Sequence, residues 1–516
     1  IEMLSSPRLL LTLAFLEGAT VMAVELLSAR MLTPYFGAGV HVWGAVIGIT
    51  VASLAVGYYL GGHLCEKGID RQKLFFMFLI SSAFMMLMPM EAKSLIATFS
   101  DSAPLPSVIF IATLLLVPCL GLLGATPVMI IHLLSESTQD SGQTAGNVYA
   151  ISTIGGIFST MLVGFYIIPE FGITSPTVIL ALIPGALSLI LLLMSGKIIA
   201  LAFLVVLLFG VLSTRTRTPL SNVKIHYSSE GLLGQVMVAD AVLPGLSNRI
   251  LFVNRMGQTF VDLNSGESRW SYVNYITSLC SSYPEKTRAL LLGLGGGSLA
   301  RNLTGILGFE LVTVELDERM SLLGKQYFGL QSDINPIIDD ARHYLESTEE
   351  TFDIIVIDVF KGEVPPAHVL SKECFETVKS RLAENGLLLI NFNGFLEGQA
   401  GRAERSLYNT LVAADLKVKI LPTYEPPKYR NCIYVCPMSE ESTADLRYPM
   451  MQNGVKFDFA SAYLQENVVQ FTDAPVFYDD RPLLEHFNVA SARIWREEYK
   501  KSYTDMFATK GIELFK

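Results

Sequence analysis

Seven apolar stretches fill the first 213 residues, at about 9–31, 42–64, 74–90, 105–134, 144–168, 175–194 and 198–212. Most are long enough to cross the roughly 30 Å of hydrocarbon in a bilayer. Nothing else in the chain constrains its fold as strongly, because backbone polar groups in lipid must be satisfied inside helices. The fourth stretch is long and contains Pro118 and Pro127, so it reads as one kinked helix or two shorter ones, giving seven or eight spans. Its first stretch exceeds a signal-peptide core and is expected to stay as an anchor.

Charge divides the chain at the same place. Of residues 1–213, 17 are charged, or 8%, against 23% of residues 214–516. A wholly soluble enzyme, a disulfide-rich secreted scaffold and a disordered chain are excluded by this partition. The net charge is −10 with no block of like charge, so no nucleic-acid partner is expected. Cys65, Cys119, Cys280, Cys374, Cys432 and Cys436 are scattered and read as reduced, structural thiols. The histidines show no ligand spacing, and no metal is expected.

Orientation is less simple. Arg8 precedes the first stretch, Lys67, Arg71 and Lys73 follow the second, and Lys197 follows the sixth, which places the segment before the first stretch in the cytoplasm. Seven spans would then export the C-terminal half, whereas Arg215 and Arg217 favour its retention inside. Small residues recur every fourth position at Ser53, Gly57 and Gly61 and at Ser152, Gly156, Thr160 and Gly164, a pattern that lets helices approach closely. Glu17 and Glu25 within the first stretch should face the bundle interior, as a polar site or as a pair that orients helices.

After a polar linker, short alternating segments predict a small antiparallel β-unit over 214–266. From 267 to 516 buried strands at 289–293, 311–315, 354–358 and 387–391 alternate with helical segments, which predicts a Rossmann-like doubly wound sheet. LKVKILPT and RNCIYVCP flank a proline-rich turn and should form an antiparallel hairpin at its edge. The first buried strand runs into Gly293, Gly295, Gly296, Gly297 and Ser298 and then a helix, a backbone suited to close approach of a ligand at a helix N-terminus. Glu315 ends the next strand where a carboxylate can accept ribose hydroxyls. Asp339 and Asp340 stand where one can receive an adenine amino group, and Asp358 ends the following strand at the ligand crevice. Four such features in order point to a nucleoside site.

Through SSEGLLGQVMV, LFVNRMGQTFVD, LLLGLGGGS, VTVELD, DDARHYL, FDIIVIDVF and YDDRPLLE, over about residues 223–490, the chain resembles the spermidine synthase family. LLSARMLTPYFG, GYYLGGHL, GATPVM and GNVYAISTIGG make it similar to the membrane-fused relatives of that family. The resemblance implies a decarboxylated S-adenosylmethionine site with Gln235 and Gln258 in the pocket wall, Glu315 on the ribose, Asp340 on the adenine and Asp358 orienting or deprotonating the attacking amine. Three departures stand out. An acid of the glycine loop that pairs with the aminopropyl ammonium is replaced by Gly296, which leaves intact S-adenosylmethionine open as donor. The run that seats a diamine is Tyr272, Val273 and Asn274, and the second acid of the catalytic loop is Lys361.

The expected function is a multi-pass, membrane-embedded transferase in the cell (inner) membrane, with its soluble part cytoplasmic. It would alkylate a small-molecule or membrane-delivered acceptor, alone or within an oligomer or protein complex. Asp358 and Tyr272 are the catalytic candidates. His368 is a further candidate or a loop cap, Asn391 and Asn393 bind acceptor or satisfy turn backbone, and the Asp479–Asp480–Arg481–Pro482 run ends the domain with a turn and ion pairs or, beside the sheet edge, takes part in the site. The alternative is a non-catalytic transporter, sensor or scaffold with a degenerate synthase-like domain.

Overall fold

The computed structural model describes residues 6–504 apart from 37–39, 100–103, 136–140, 214–222, 232, 244–245, 361, 363, 440–445, 453–454 and 465–470. The chain forms two compact units, one of residues 1–220 with 228–236 and 506–516, the other of 221–227 with 237–505.

The first unit is helical: α1 (Pro7–Phe36), α2 (Val40–Glu66), α3 (Arg71–Phe99), α4 (Pro104–Leu134), α5 (Ser141–Phe171, with a π-helical stretch at Val163–Ile167) and α6 (Thr174–Met194). These six are long and apolar enough to cross a membrane. The expected seventh stretch is shorter. Gly196, at φ +77°, breaks the chain after α6, and a 3₁₀ turn (Ile198–Ala202) leads into α7 (Phe203–Ser213). Together they rise roughly 26 Å, less than the hydrocarbon thickness. Nor is the fourth stretch divided: α4 runs unbroken through Pro118 and Pro127, because neighbouring helices and local adjustment can satisfy the carbonyls that proline frees. Six spanning-length helices and one short one therefore replace the expected seven or eight.

The small-residue stripes are packing surfaces. A Cβ on Gly57 would stand 2.5 Å from the Gly121 carbonyl oxygen and one on Gly61 2.6 Å from that of Ala125, so α2 lies backbone to backbone on α4. On α5, Gly155 would meet the Phe15 carbonyl oxygen at 2.1 Å. Buried Glu17 of α1 accepts a hydrogen bond from Ser152 Oγ of α5 at 2.6 Å. Large apolar side chains cover the outside, including Val51, Ile154, Phe165 and Ile199, a surface that water would penalise and lipid would not.

The second unit contains two main sheets. A four-stranded sheet has the order β1 (Val223–Ser229), β2 (Val236–Leu243), β3 (Leu246–Val253), β4 (Met256–Asp262), with β3 and β4 antiparallel. After α8 (Ser271–Cys280) comes the alternation of β5 (Arg288–Leu292), α9 (Ser298–Gly305), β6 (Glu310–Glu315), α10 (Glu318–Tyr327), β7 (Ile337–Ile338), α11 (Ala341–Ser347), β8 (Phe352–Ile357), α12 (Lys372–Arg381), β9 (Leu382–Asn393), α13 (Arg402–Ala413), β10 (Lys419–Pro422), β11 (Asn431–Pro437) and the final helix α14 (Leu484–Thr504). The sheet order is β10-β11-β9-β8-β5-β6-β7. Strands β9, β8, β5, β6 and β7 are parallel, and the β10–β11 hairpin is antiparallel. Strand β7 is two residues long, too short to show in the sequence pattern.

Leu290, Leu292, Ile355, Ile357, Leu388 and Ile390 are sealed in one core beneath α11–α13, each such side chain contributing about 1.5–3 kcal/mol of transfer free energy. Residues 237–266 of the expected β-unit fall in the same compact unit as the larger sheet. Arg249 of β3 forks onto Asp240 and also reaches the Tyr327 carbonyl at 3.0 Å, and β4 contacts the glycine loop, so most of this sheet folds with the larger one.

Candidate functional site

The carboxyl ends of β5, β6 and β8 come together at the glycine loop. Gly293, Gly295 and Gly297 all have positive φ, at +93°, +53° and +84°. A Cβ on Gly293 would lie 2.2 Å from the Asp358 carbonyl oxygen, so two strand ends approach as only glycine permits. Gly297 caps α9. Ser298, its first residue, carries a buried hydroxyl with no hydrogen-bond partner among the described residues. An unpaired hydroxyl on this loop fits a polar ligand held at the helix N-terminus.

Glu315, half-buried at the end of β6, accepts the Leu294 N–H at 2.8 Å and the Asp317 N–H at 2.9 Å, one on each oxygen. Burial pushes its carboxyl above the ordinary value, and those backbone donors hold it back. Each oxygen keeps a lone pair for a ligand hydroxyl.

Asp358, just past β8, is held by neutral donors. Tyr272 OH of α8 donates to Oδ2 at 3.0 Å and Asn391 Nδ2 of β9 to Oδ1 at 2.8 Å. Burial raises its carboxyl above the ordinary range, with the Asn391 and Tyr272 bonds opposing. Asn391 is fixed in turn by Asn431 Nδ2 at 2.9 Å, from the start of β11. A half-buried carboxylate with a raised proton affinity and only neutral partners can accept a proton.

The remaining candidates are engaged locally. Asp340 caps α11 by accepting the Arg342 and His343 N–H groups, while its Oδ2 lies 2.9 Å from His368 Nε2. Burial alone would raise this carboxyl, but His368 and the backbone donors bring it below its ordinary value. His368 thus stands on Asp340, not on Asp358. Asp339 pairs with His343 at 2.7 Å. Gln258 Nε2 donates 2.8 Å to the Gly362 carbonyl and ties β4 to the loop after β8. Gln235 is buried just before β2, in the stretch 228–236 that clusters with the helical unit. Lys361 and the Asn393 side chain lie outside the described residues. Asp479 takes a bidentate ion pair from Arg342 at 2.7 Å, and Tyr478 and Arg481 close a turn.

Residues the sequence reading did not single out complete the site. Thr259 Oγ1 accepts the Gly296 N–H at 2.8 Å, and its methyl group stands 2.8 Å from where a Gly296 Cβ would be. Asn431 and Thr259 each lie on a strand unremarkable in pattern, and only pairing across the sheets brings them in. Among the described residues no group of three or more His, Cys, Asp or Glu is placed to hold a metal, and the six cysteines are unpaired.

Residues 271–426 match the family model of the spermine/spermidine synthase domain, a shorter span than the 223–490 of the sequence resemblance. An N-terminal histidine N-methyltransferase from Emericella nidulans is 27% identical over 193 residues, covering 34% of this chain and 33% of that protein. A probable polyamine aminopropyl transferase from Bifidobacterium longum is 30% identical over 126 residues, 24% of this chain and 28% of the relative. A polyamine aminopropyltransferase from Vibrio vulnificus is 32% identical over 114 residues, 21% and 38%. The chain spans about a third of the length of these curated relatives, and the family-model match begins at residue 271. Residues 271–426 are therefore similar to the spermine/spermidine synthase domain, within a Rossmann-like sheet.

Proposed function

We propose that this protein is a membrane-embedded transferase that alkylates a small acceptor from an S-adenosylmethionine-type donor. The observation that carries the reading is Asp358, a half-buried carboxylate held by Tyr272 and Asn391, beside a glycine loop whose Ser298 hydroxyl has no partner among the described residues and facing the strand that ends in Glu315. The donor supplies a carbon bonded to a positively charged sulfur, and displacement there leaves a neutral thioether. Glu315 holds the ribose hydroxyls, the glycine loop and the α9 N-terminus accept the rest of the donor, and Asp358 takes the proton that the acceptor loses. Most of the protein's contribution is position and proton transfer.

Gly296 favours intact S-adenosylmethionine over its decarboxylated form. No acid stands there to repel the donor's carboxylate, and Thr259 occupies the space such an acid would use. An N-methyltransferase among the relatives fits that choice.

With six crossings, the basic residues at the start of α1 (Arg8), at the α2–α3 junction (Lys67, Arg71 and Lys73) and after α6 (Lys197) all fall on the cytoplasmic side, where S-adenosylmethionine is expected. The short α7 then lies at or within that face without crossing. Calorimetry of the full chain in detergent with S-adenosylmethionine, decarboxylated S-adenosylmethionine, methylthioadenosine and S-adenosylhomocysteine tests the donor site. Binding of none refutes the reading, and mass analysis of transfer products separates methyl from aminopropyl chemistry. A cytoplasmic reporter after Lys516 is expected to be active, and an external one overturns the orientation.

A further inference from the structure

The hydrogen bonds on Asp358 lead outward in two directions and end on the same helix. On one side Tyr272 follows Trp270 by two residues, and the Trp270 ring stacks on Trp495 of α14, centroids 6.3 Å apart and planes 26° from parallel. Phe260 of β4 meets Trp270 edge-on at 5.1 Å, and Met256 and Phe395 complete a small separate core around buried Trp495. On the other side Asn431 follows Tyr429 by two residues. Tyr429 OH donates to Glu498 Oε2 at 2.5 Å, and Lys428 Nζ lies 3.0 Å from the same oxygen. Trp495 and Glu498 are three residues apart, so they project from one face of α14. Both are buried. The proximal end of the helix is fixed independently, by the Arg402 guanidinium 4.0 Å over the Phe487 ring and by Phe487 against Phe477.

Three loops at the carboxyl end of the sheet are thereby joined to one rigid element. They are the entry to α8, the turn after β9 that begins with Gly394 and Phe395, and the β10–β11 turn. Arg430 Nε also donates to the Gly394 carbonyl at 2.7 Å, which locks the second loop to the third. We infer that α14 is a positioning element of the transferase site: Trp495, through Trp270, sets the Tyr272 hydroxyl, and Glu498, through Tyr429, sets the Asn431–Asn391 pair, so that one helix fixes both hydrogen bonds on Asp358. This rests on the donor-site reading above and adds a function for a segment outside the 271–426 family match.

The consequence is a tuned base. Burial, Asn391 and Tyr272 are the influences acting on the Asp358 carboxyl. Both hydrogen bonds favour its ionised form, so misplacing either donor raises its proton affinity. An ionised Asp358 attracts a cationic donor more than its neutral by-product. The ratio of affinities for S-adenosylmethionine and S-adenosylhomocysteine, measured by calorimetry on the full chain in detergent from pH 5 to 9, therefore titrates with this carboxyl and needs no acceptor.

Trp495→Ala and Glu498→Ala are each expected to move the midpoint of that ratio upward by about half a unit to one unit, a roughly three- to tenfold change in the ionisation constant. Trp495→Phe and Glu498→Gln should restore most of it. The decisive measurement is the double substitution. The Trp495→Ala shift should vanish in a Tyr272→Phe background and persist in Asn391→Leu, and Glu498→Ala should show the opposite pattern. Midpoints unchanged by the α14 substitutions, or shifts that persist equally in both backgrounds, overturn the inference while leaving the donor site intact. Absence of binding by the unsubstituted chain, or a ratio that does not titrate, overturns the donor-site reading instead.

Discussion

Asp358→Asn separates chemistry from architecture, because the site can absorb it without losing a hydrogen bond. The new amide can keep its oxygen toward Asn391 Nδ2, 2.8 Å away in the parent, and turn its NH₂ toward Tyr272 OH, 3.0 Å away. A tyrosine hydroxyl accepts as readily as it donates. Bonds to a charged acceptor are worth about 1.5–3 kcal/mol and neutral ones about 0.5–1.5, so the two contacts lose about 1–3 kcal/mol in sum. Against this stands relief from desolvating a charge, and the raised carboxyl says that burial is the larger influence. The folded chain holds the Asp358 proton above its ordinary value of 3.8, so the stability that proton confers is lost as pH rises from there through the raised value. Asp358→Asn removes that loss. The variant should match the parent in thermal stability near pH 4 and equal or exceed it at pH 8, followed through tryptophan emission, to which Trp270 and Trp495 contribute from this unit. Affinity for S-adenosylhomocysteine, which carries no sulfonium charge, should stay within about threefold by calorimetry, while by-product release in membranes that carry the natural acceptor falls about 10²- to 10⁴-fold, the range for a lost general base. A variant that releases by-product at the parent rate refutes the assignment of Asp358 as proton acceptor. Failure of the variant to fold refutes the hydrogen-bond exchange described here.

Glu315→Gln should weaken methylthioadenosine and S-adenosylhomocysteine by about 10- to 100-fold, as expected for losing charge-assisted bonds to two hydroxyls, and parent affinity should fall as pH drops through the raised value of this carboxyl; calorimetry reads both. Gly293→Ala places a Cβ 2.2 Å from the Asp358 carbonyl oxygen at φ +93°, so a loss of more than about 2 kcal/mol in folding stability is expected, with ligand binding abolished. Gly296→Asp should reduce all donor binding through its 2.8 Å approach to Thr259. Combined with Thr259→Ala it should regain decarboxylated S-adenosylmethionine selectively, and recovery of both donors alike would argue against exclusion by charge.

The parts of this protein that were legible in its sequence are those governed by local pattern. Buried strands announce themselves by composition, and Glu315 and Asp358 stand at strand ends, so β5, β6, β8 and β9 and the carboxylates that end β6 and follow β8 could be placed by counting. What could not be read depends on contacts between distant segments. Tyr272 and Asp358 were each visible, but not the 3.0 Å bond between them across 86 positions. The bonds that Asp340 Oδ1 accepts from the α11 backbone and the approach of His368 to its Oδ2 are likewise invisible in the sequence. Gly296 read as a missing acid, and only the packing of β4 shows that Thr259 fills the place. Nor does the sequence show the bond that Gln258 gives to a loop carbonyl. α14 carries no sequence signature, since Trp495 and Glu498 acquire meaning only from Trp270 and Tyr429.

The span count has consequences beyond the membrane. Seven crossings set two sequence signals against each other, with basic loops holding the start of α1 inside and a nucleoside site demanding the same compartment after an odd number of passages. The structure supplies the missing term in Gly196, whose positive φ ends α6 and leaves only a 3₁₀ turn and the short α7 before the linker. At roughly 26 Å this last apolar piece is shorter than the core it would have to cross, and with Lys197 on one side and Arg215 and Arg217 on the other both its flanks are cationic. A helix flanked by positive charge at both ends is poorly suited to crossing, because one end would have to leave the cytoplasmic face. The same residues are well suited to a segment resting in that face, with basic side chains drawn to its anionic headgroups. On the proposal of six crossings the chain returns to the side from which it starts, and the charge pattern that conflicts with an enzyme under a count of seven becomes an argument for one.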